Sequence, residues 1–322
     1  MRRAFLILSR ARCTNARPCV VAPLSGPPIE RTERPMTTVW GALTVGAVYA
    51  IVAVGFNIVI ISSATFNFAQ PQLIMLGTFA AYLGAAQFHV PLLVTIGISL
   101  VLGGVIGLLI ERTAIRLLPP GAHAELVTTV GVSVIIAGLV VLAFGNNPLS
   151  VPPVFGGERA MTLLGGRILP AELTILCIGL ALPLVADILT TRTLVGLSSL
   201  ATSEDKTAAV LRGINVGRLG WGSYAVAGAL CMGLGPFVAP ETYAYSALGD
   251  ILVLKGFVAM VIGGQGSHRG ALIGALAVGF VEAFTARYIG VNYQNVAVFG
   301  VLLIVLMIRP HGLFGERLER AV

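Results

Sequence analysis

From position 36 onward the chain alternates long apolar runs with short polar junctions. The runs fall at about 39–61, 65–87, 91–110, 125–145, 169–190, 218–239, 250–264, 270–286 and 294–308. Most approach the roughly 20 residues that a helix needs to cross a hydrocarbon layer of about 30 Å. In lipid a helix is the one open-chain conformation that satisfies its own backbone donors and acceptors. The pattern predicts an all-α membrane protein, a polytopic bundle of about 8–10 transmembrane helices. The seventh run is short, and only a glycine-rich turn separates it from the eighth. A half-helix or re-entrant element is expected there.

The junctions carry an orientation signal. One set, 111–124, 191–217 and 265–269 with the C-terminal tail, holds Arg112, Arg116, Arg192, Lys206, Arg212, Arg218, Arg269, Arg309, Arg317 and Arg320. The opposite set holds Arg159, Arg167 and Arg287. Basic residues accumulate on the cytoplasmic side, so the first set and the C-terminus are expected inside. The segment from Met36 then starts outside.

Residues 1–35 follow a different grammar. They contain seven arginines against Glu30 and Glu33, five prolines, and no sustained helical period. The apolar stretch Ala4 to Leu8 is too brief for a signal-peptide core. A disordered basic leader or an early start codon is expected for 1–35, with the transmembrane domain over 36–322.

Composition fits this picture. Hydrophobic residues make up 56% and charged residues 11%, against about 25% charge in a soluble domain. The net charge of +7 is concentrated in the first 35 residues, and the rest of the chain has 14 basic and 12 acidic residues. A nucleic-acid surface is therefore not expected. Cys13 and Cys19 lie in the leader, while Cys177 and Cys231 sit inside apolar runs and make no metal pattern. No metal site is predicted.

Catalytic chemistry is also missing from the pattern. The two lysines, Lys206 and Lys255, lie outside any G-x-x-x-x-G-K-[ST] loop, so no phosphate cradle is present. Gly266-Ser267-His268 puts a hydroxyl beside an imidazole, but neighbours in a turn do not form a triad. No catalytic residue is assigned and the chain is read as not an enzyme. The candidates for ionisable groups deep in the membrane are Glu125, Lys255 and Glu282. All three are read as interfacial or paired, and Lys255 and Glu282 are candidates to pair with each other.

Three polar clusters stand out. Asn67, Gln70 and Gln72 bracket Pro71, which removes a backbone donor and can break a helix. Such a break either lines a solute path or marks a capped helix start. From Ser203 to Leu211 a short helix is expected after a serine cap, with Glu204 and Asp205 in its first turn, where the dipole favours acids. Ala208, Ala209 and Leu211 give it an apolar patch. Gly263, Gly264, Gly266 and Gly270 suit a tight reversal and close helix packing, as do the four-residue repeats Gly103/Gly107 and Gly270/Gly274.

Four stretches together resemble the permease family of branched-chain amino acid importers of the ATP-binding-cassette class. They are Gly46 to Gly55 leading to Phe66-Asn67-Phe68-Ala69-Gln70-Pro71-Gln72; Glu111-Arg112 with Thr128 to Ser133; Thr193 to Val216; and Gly263 to Gly274 joined to Arg309-Pro310-His311-Gly312-Leu313-Phe314-Gly315. The resemblance spans about 46–315. It implies an importer-type permease in the bacterial inner membrane, with the segment 191–217 coupling it to the motor. Glu204, Asp205, Ala209, Leu211, Arg212 and Gly213 are the implied contacts with the ATPase. It further implies two ATP-binding-cassette ATPase subunits, a second permease subunit, a periplasmic solute-binding protein and surrounding lipid as partners. No cofactor is expected on the chain itself, since ATP would be bound by partner subunits. Branched-chain amino acids are the implied cargo. Urea or short amides are an alternative, and a proton-coupled secondary transporter is another.

The chain departs from the family pattern at three places. Gln70, Pro71 and Gln72 replace the usual His, Gly and Glu, which removes charge near the implied path. Leu197 and Leu200 stand where arginines are frequent. His268 and Arg269 follow Gly266-Ser267 in place of an apolar residue and proline.

Overall fold

The computed structural model describes residues 35–117, 122–152, 161–163 and 166–315. The expected leader, apart from Pro35, lies outside the described residues, as do Arg159, Arg317 and Arg320. Each of the nine apolar runs carries a helix: α1 (Pro35–Ser63), α2 (Gln70–Tyr82), α3 (Leu92–Ile110), α4 (Ala122–Phe144), α5 (Pro170–Arg192), α8 (Val216–Thr242), α9 (Leu248–Gly263), α10 (His268–Tyr288) and α11 (Gln294–Ile308). Between α5 and α8 lie two shorter helices, α6 (Leu194–Glu204) and α7 (Lys206–Leu211). Strands β1 (Met161–Leu163) and β2 (Gly166–Ile168) form an antiparallel hairpin before α5.

Among the described residues, seven helical stretches are long and apolar enough to cross a membrane; α2 and α9 fall short. The difference is one of length, 13 residues in α2 and 16 in α9. α2 and α9 pack against each other and against α1, and protein rather than lipid surrounds most of their surface. The centre of the bundle is α1, whose most apolar window is 83% buried against 6% for α11. α11 exposes Val296, Leu303, Ile304, Met307 and Ile308, an apolar flank suited to lipid tails.

Small residues set the helix spacings. A Cβ on Gly103 would collide with the Gly228 carbonyl, one on Gly107 with the Tyr224 carbonyl, and one on Gly274 with the Ala259 carbonyl. Helix association in lipid gains little from hydrophobicity and depends on such close backbone approach.

The junctions sort to two ends. At one, Leu149 and Ala244 exchange both backbone hydrogen bonds at 2.9 Å, and Ser246 donates to Asn146 Oδ1 at 2.6 Å. Arg287 donates to Thr38, at the start of α1, on this same end. At the other end, Arg269 pairs with Asp187 at 2.7 Å, and the backbone N–H groups of Leu313 and Phe314 donate to Ile262 and Gly263. There too Arg116 stacks over the Trp221 ring at 5.6 Å. The described members of the arginine-rich set occupy this second end.

Three local expectations are corrected. The run 65–87 is not one helix, because residues 65–67 are non-helical and α2 opens only at Gln70. Lys255 is not near a helix end but is the eighth residue of the 16-residue α9. The segment 191–217 holds two helices rather than one. Ser203 and Glu204 close α6 instead of opening a helix, and Asp205 is the N-cap of α7 rather than part of its first turn.

Candidate functional site

The interruption before α2 organises the interior. Ala64 takes φ +56° after α1, and the chain turns back into the bundle as irregular backbone over residues 65–69. Irregular backbone at membrane depth persists only where protein or water satisfies it, and here protein does. Thr65 Oγ1 meets the Tyr224 hydroxyl at 2.9 Å, and Ala69 N–H donates to Asn67 Oδ1 at 3.1 Å. Phe56, Phe66, Phe68 and Phe257 make a ring cluster around the irregular stretch. Pro71 sits at the first turn of α2, where its missing N–H has no helical partner to lose.

Asn67, Gln70 and Gln72 are all fully buried, so a capped helix start at the membrane surface does not describe them. Asn67 Nδ2 donates to Gln70 Oε1 at 3.2 Å, and Gln70 Nε2 donates to the Cys231 sulfur at 3.3 Å. Gln72 reaches further. Its Nε2 donates to Ser133 Oγ on α4 at 2.9 Å and to Asp250 Oδ1 on α9 at 2.7 Å. Its Oε1 is buried with no hydrogen-bond partner. That oxygen lies against Gly249, where a Cβ would overlap it. Asp250 itself is exposed, so Gln72 meets the molecular surface through this carboxylate.

A second polar node joins three helices. Lys255 on α9 makes an ion pair with Glu282 Oε1 on α10, both side chains being 12% exposed. Tyr49 on α1 donates to the other oxygen, Oε2, at 2.6 Å, and the Lys255 ammonium lies 5.7 Å from the Tyr49 ring centroid. The sequence already suggested the Lys255–Glu282 pair. Tyr49 escaped it, because a tyrosine 233 positions away in an apolar run carries no local sign of a carboxylate partner.

The glycine-rich turn is clamped from α1. Asn57 Oδ1 accepts Gly266 N–H at 3.1 Å, and Asn57 Nδ2 donates to the Ser267 carbonyl at 3.0 Å. Gly264 and Gly266 take φ of +108° and +83°, a region that costs side-chain-bearing residues roughly 1 kcal/mol or more. Gly263 and Gly270 abut each other's backbones. His268 is buried with Nε2 3.2 Å from Thr190 Oγ1 on α5. The two residues that depart from the family pattern here, His268 and Arg269, thus both engage α5.

On the basic end, α6 starts at Thr193, whose hydroxyl accepts Gly196 N–H at 3.1 Å. Asp205 Oδ1 accepts the N–H groups of Thr207 and Ala208 at 2.8 and 3.0 Å, satisfying the free donors of the α7 start. Glu204, Asp205, Leu211, Arg212 and Gly213 are exposed. Ala209 is not: it faces inward at 2% exposure. The outward apolar groups are instead Val210 and Leu211 on α7, and Leu194, Val195 and Leu197 on α6.

Comparison with known proteins gives this architecture its family. The model of the branched-chain amino acid transport system / permease component family matches residues 38–308. This chain belongs to that family. The permease protein BraD of the high-affinity branched-chain amino acid transport system of Pseudomonas aeruginosa is 27% identical over 287 residues, covering 85% of this chain and 94% of BraD. The corresponding LivH of Escherichia coli is 36% identical over 129 residues, covering 38% of this chain and 40% of LivH. Among solved structures, PsaBC from Streptococcus pneumoniae in complex with Fab overlays with a TM-score of 0.45 at 14% identity, over 84% of this chain and 91% of that one. As a member of the permease family, the protein is a multi-pass transport subunit of the inner membrane.

Proposed function

We propose that this chain is the permease subunit of an importer that moves branched-chain or related small amino acids using ATP hydrolysed by separate subunits. The observation that carries the reading is the Asp205-capped helix α7. It is short, capped by its own sequence, and presents Val210 and Leu211 outward among Lys206, Arg212 and Arg218. A rigid, exposed helix at the basic end is what a mechanical contact with a nucleotide motor requires. The chain has no phosphate loop with which to perform the hydrolysis itself. Two ATPase subunits acting on this segment, a second permease subunit completing the pore and a periplasmic solute-binding protein delivering cargo make the working assembly. The permease needs no cofactor and no covalent chemistry.

The test uses the assembled importer in proteoliposomes with radiolabelled leucine. Leu211→Asp and Asp205→Arg are expected to abolish uptake while ATP hydrolysis continues and the permease remains inserted. Uptake at wild-type rate in both variants overturns the coupling role. One observation favours a second reading: the intramembrane Lys255–Glu282–Tyr49 node has the composition of a proton-relay site. Leucine uptake driven by a pH gradient without ATPase subunits would establish that alternative.

A further inference from the structure

One face of α3 changes chemistry along its length. At 100° per residue Val105, Leu108, Leu109 and Arg112 fall within an arc of about 100°, and Arg116 caps the π-helical turn Glu111–Ile115 that continues the helix. The three aliphatic side chains are exposed, and so are both arginines. Glu111 does not share this face, because its side chain is buried.

Across the seam, α8 contributes Trp221. Val105, Leu108, Leu109, Arg112 and Trp221 together line one groove in the surface. The Arg116 guanidinium stands 5.6 Å from the centre of the Trp221 ring, and this cation–π contact holds it beside the groove. Among the described residues, neither Arg112 nor Arg116 has a carboxylate within ion-pair distance. The site therefore offers two positioned guanidiniums and no anion.

The depth of the groove selects its occupant. Val105 lies seven residues before Arg112, about 10 Å along the axis, and one leaflet of the hydrocarbon core is about 15 Å deep. The groove is thus apolar through most of a leaflet and cationic at the basic end. Lipid tails suit the aliphatic part but leave the arginines without a counter-charge. A soluble subunit docked on the basic end would meet the arginines but not Val105. The forked donors of a guanidinium match phosphate oxygens, and tryptophan favours the headgroup level of a bilayer.

We propose that this groove between α3 and α8 is a binding site for an anionic phospholipid. The phosphate bonds to Arg112 and Arg116, and an acyl chain lies along Leu109, Leu108 and Val105 beside the Trp221 ring. The site depends neither on the importer reading nor on the cargo.

The test is fluorescence quenching in phosphatidylcholine bilayers. The chain has two tryptophans, so Trp40→Phe leaves Trp221 as the sole emitter. Phosphatidylglycerol brominated on its acyl chains is expected to quench Trp221 at about a tenth of the mole fraction that brominated phosphatidylcholine needs, the order set by two arginines at an anionic headgroup. Adding Arg112→Gln and Arg116→Gln should bring the two lipids level, while quenching by brominated phosphatidylcholine persists and shows that the groove is intact. Arg192→Gln, at the end of α5, should leave the preference unchanged. Equal quenching by the two lipids with both arginines present overturns the proposal without recourse to any arginine variant. A preference that survives loss of both arginines, or one lost equally in Arg192→Gln, also overturns it. So does a Trp221 that neither lipid quenches, the result expected if a second copy of this chain covers the groove.

Discussion

Tyr49 on α1 donates its phenolic hydrogen to Glu282 on α10 across 2.6 Å of buried interior. The same carboxylate takes the Lys255 ammonium from α9, so one anion ties the central helix to the two that carry the glycine turn. Three helices thus share a single charge balance.

Breaking that balance on one side should be worse than removing it. Lys255→Met leaves Glu282 buried without its cation and should cost about 3–5 kcal/mol. The pair Lys255→Met with Glu282→Leu should recover most of that loss, because a buried ion pair replaced by apolar groups of similar volume is often neutral. Thermal unfolding in detergent reads both. Equal destabilisation in the single and the double variant would contradict a buried, mutually compensated pair.

Asn57 offers a second handle. Asn57→Ala removes two hydrogen bonds, leaving the Gly266 N–H without its acceptor while the Ser267 carbonyl keeps the Ala271 N–H at 2.9 Å, a loss of about 1 kcal/mol. Amide exchange of residues 264–267 should accelerate selectively in this variant. Unaltered exchange there would mean that the turn holds itself without α1.

The helix seam between α3 and α8 predicts opposite outcomes for two glycines. Gly107→Ala drives a methyl into the Tyr224 carbonyl and should destabilise by about 1–3 kcal/mol. Gly131→Ala on α4 meets nothing within 4 Å and should be neutral, or stabilising by up to about 1 kcal/mol through helix propensity. Melting temperatures of the two variants in the same detergent provide the comparison.

Asp205 separates capping from charge. Asp205→Asn keeps an oxygen that accepts Thr207 and Ala208 N–H, while Asp205→Ala loses it, at a cost of about 1 kcal/mol to α7. If α7 is the lever, leucine uptake should fall further in the alanine variant than in the asparagine one. The reverse order would show that charge, not helix order, matters at this position.

Much of the architecture was legible because apolar run length is a direct consequence of the membrane solvent. All nine runs became helices, and the basic junctions gathered at one end. The errors lay where a neighbour overrides local pattern. Residues 65–67 read as span because Phe66 and Phe68 are apolar, yet they fill a ring cluster with Phe56 and Phe257 in non-helical backbone. Ser203 looked like a cap, but Asp205 two residues on is the stronger acceptor and Ser203 instead bonds back to the Leu200 carbonyl. Ala209 looked like surface because alanine carries no sign of which way it faces. Asp250 attracted no notice at the edge of an apolar run. Its importance comes from Gln72, 178 positions earlier.

The placement of α1 at the centre also sets a schedule. Tyr49 and Asn57 are made early, yet their partners Glu282 and Gly266 follow 233 and 209 residues later. At about 5–20 residues per second of synthesis, the hub waits on the order of 10–50 s for its last neighbours. Through that interval the first helix has α5, α8 and α9 to pack against but not α10, and any ribosome that stops short of α10 leaves behind a bundle whose Tyr49 and Asn57 have no partners.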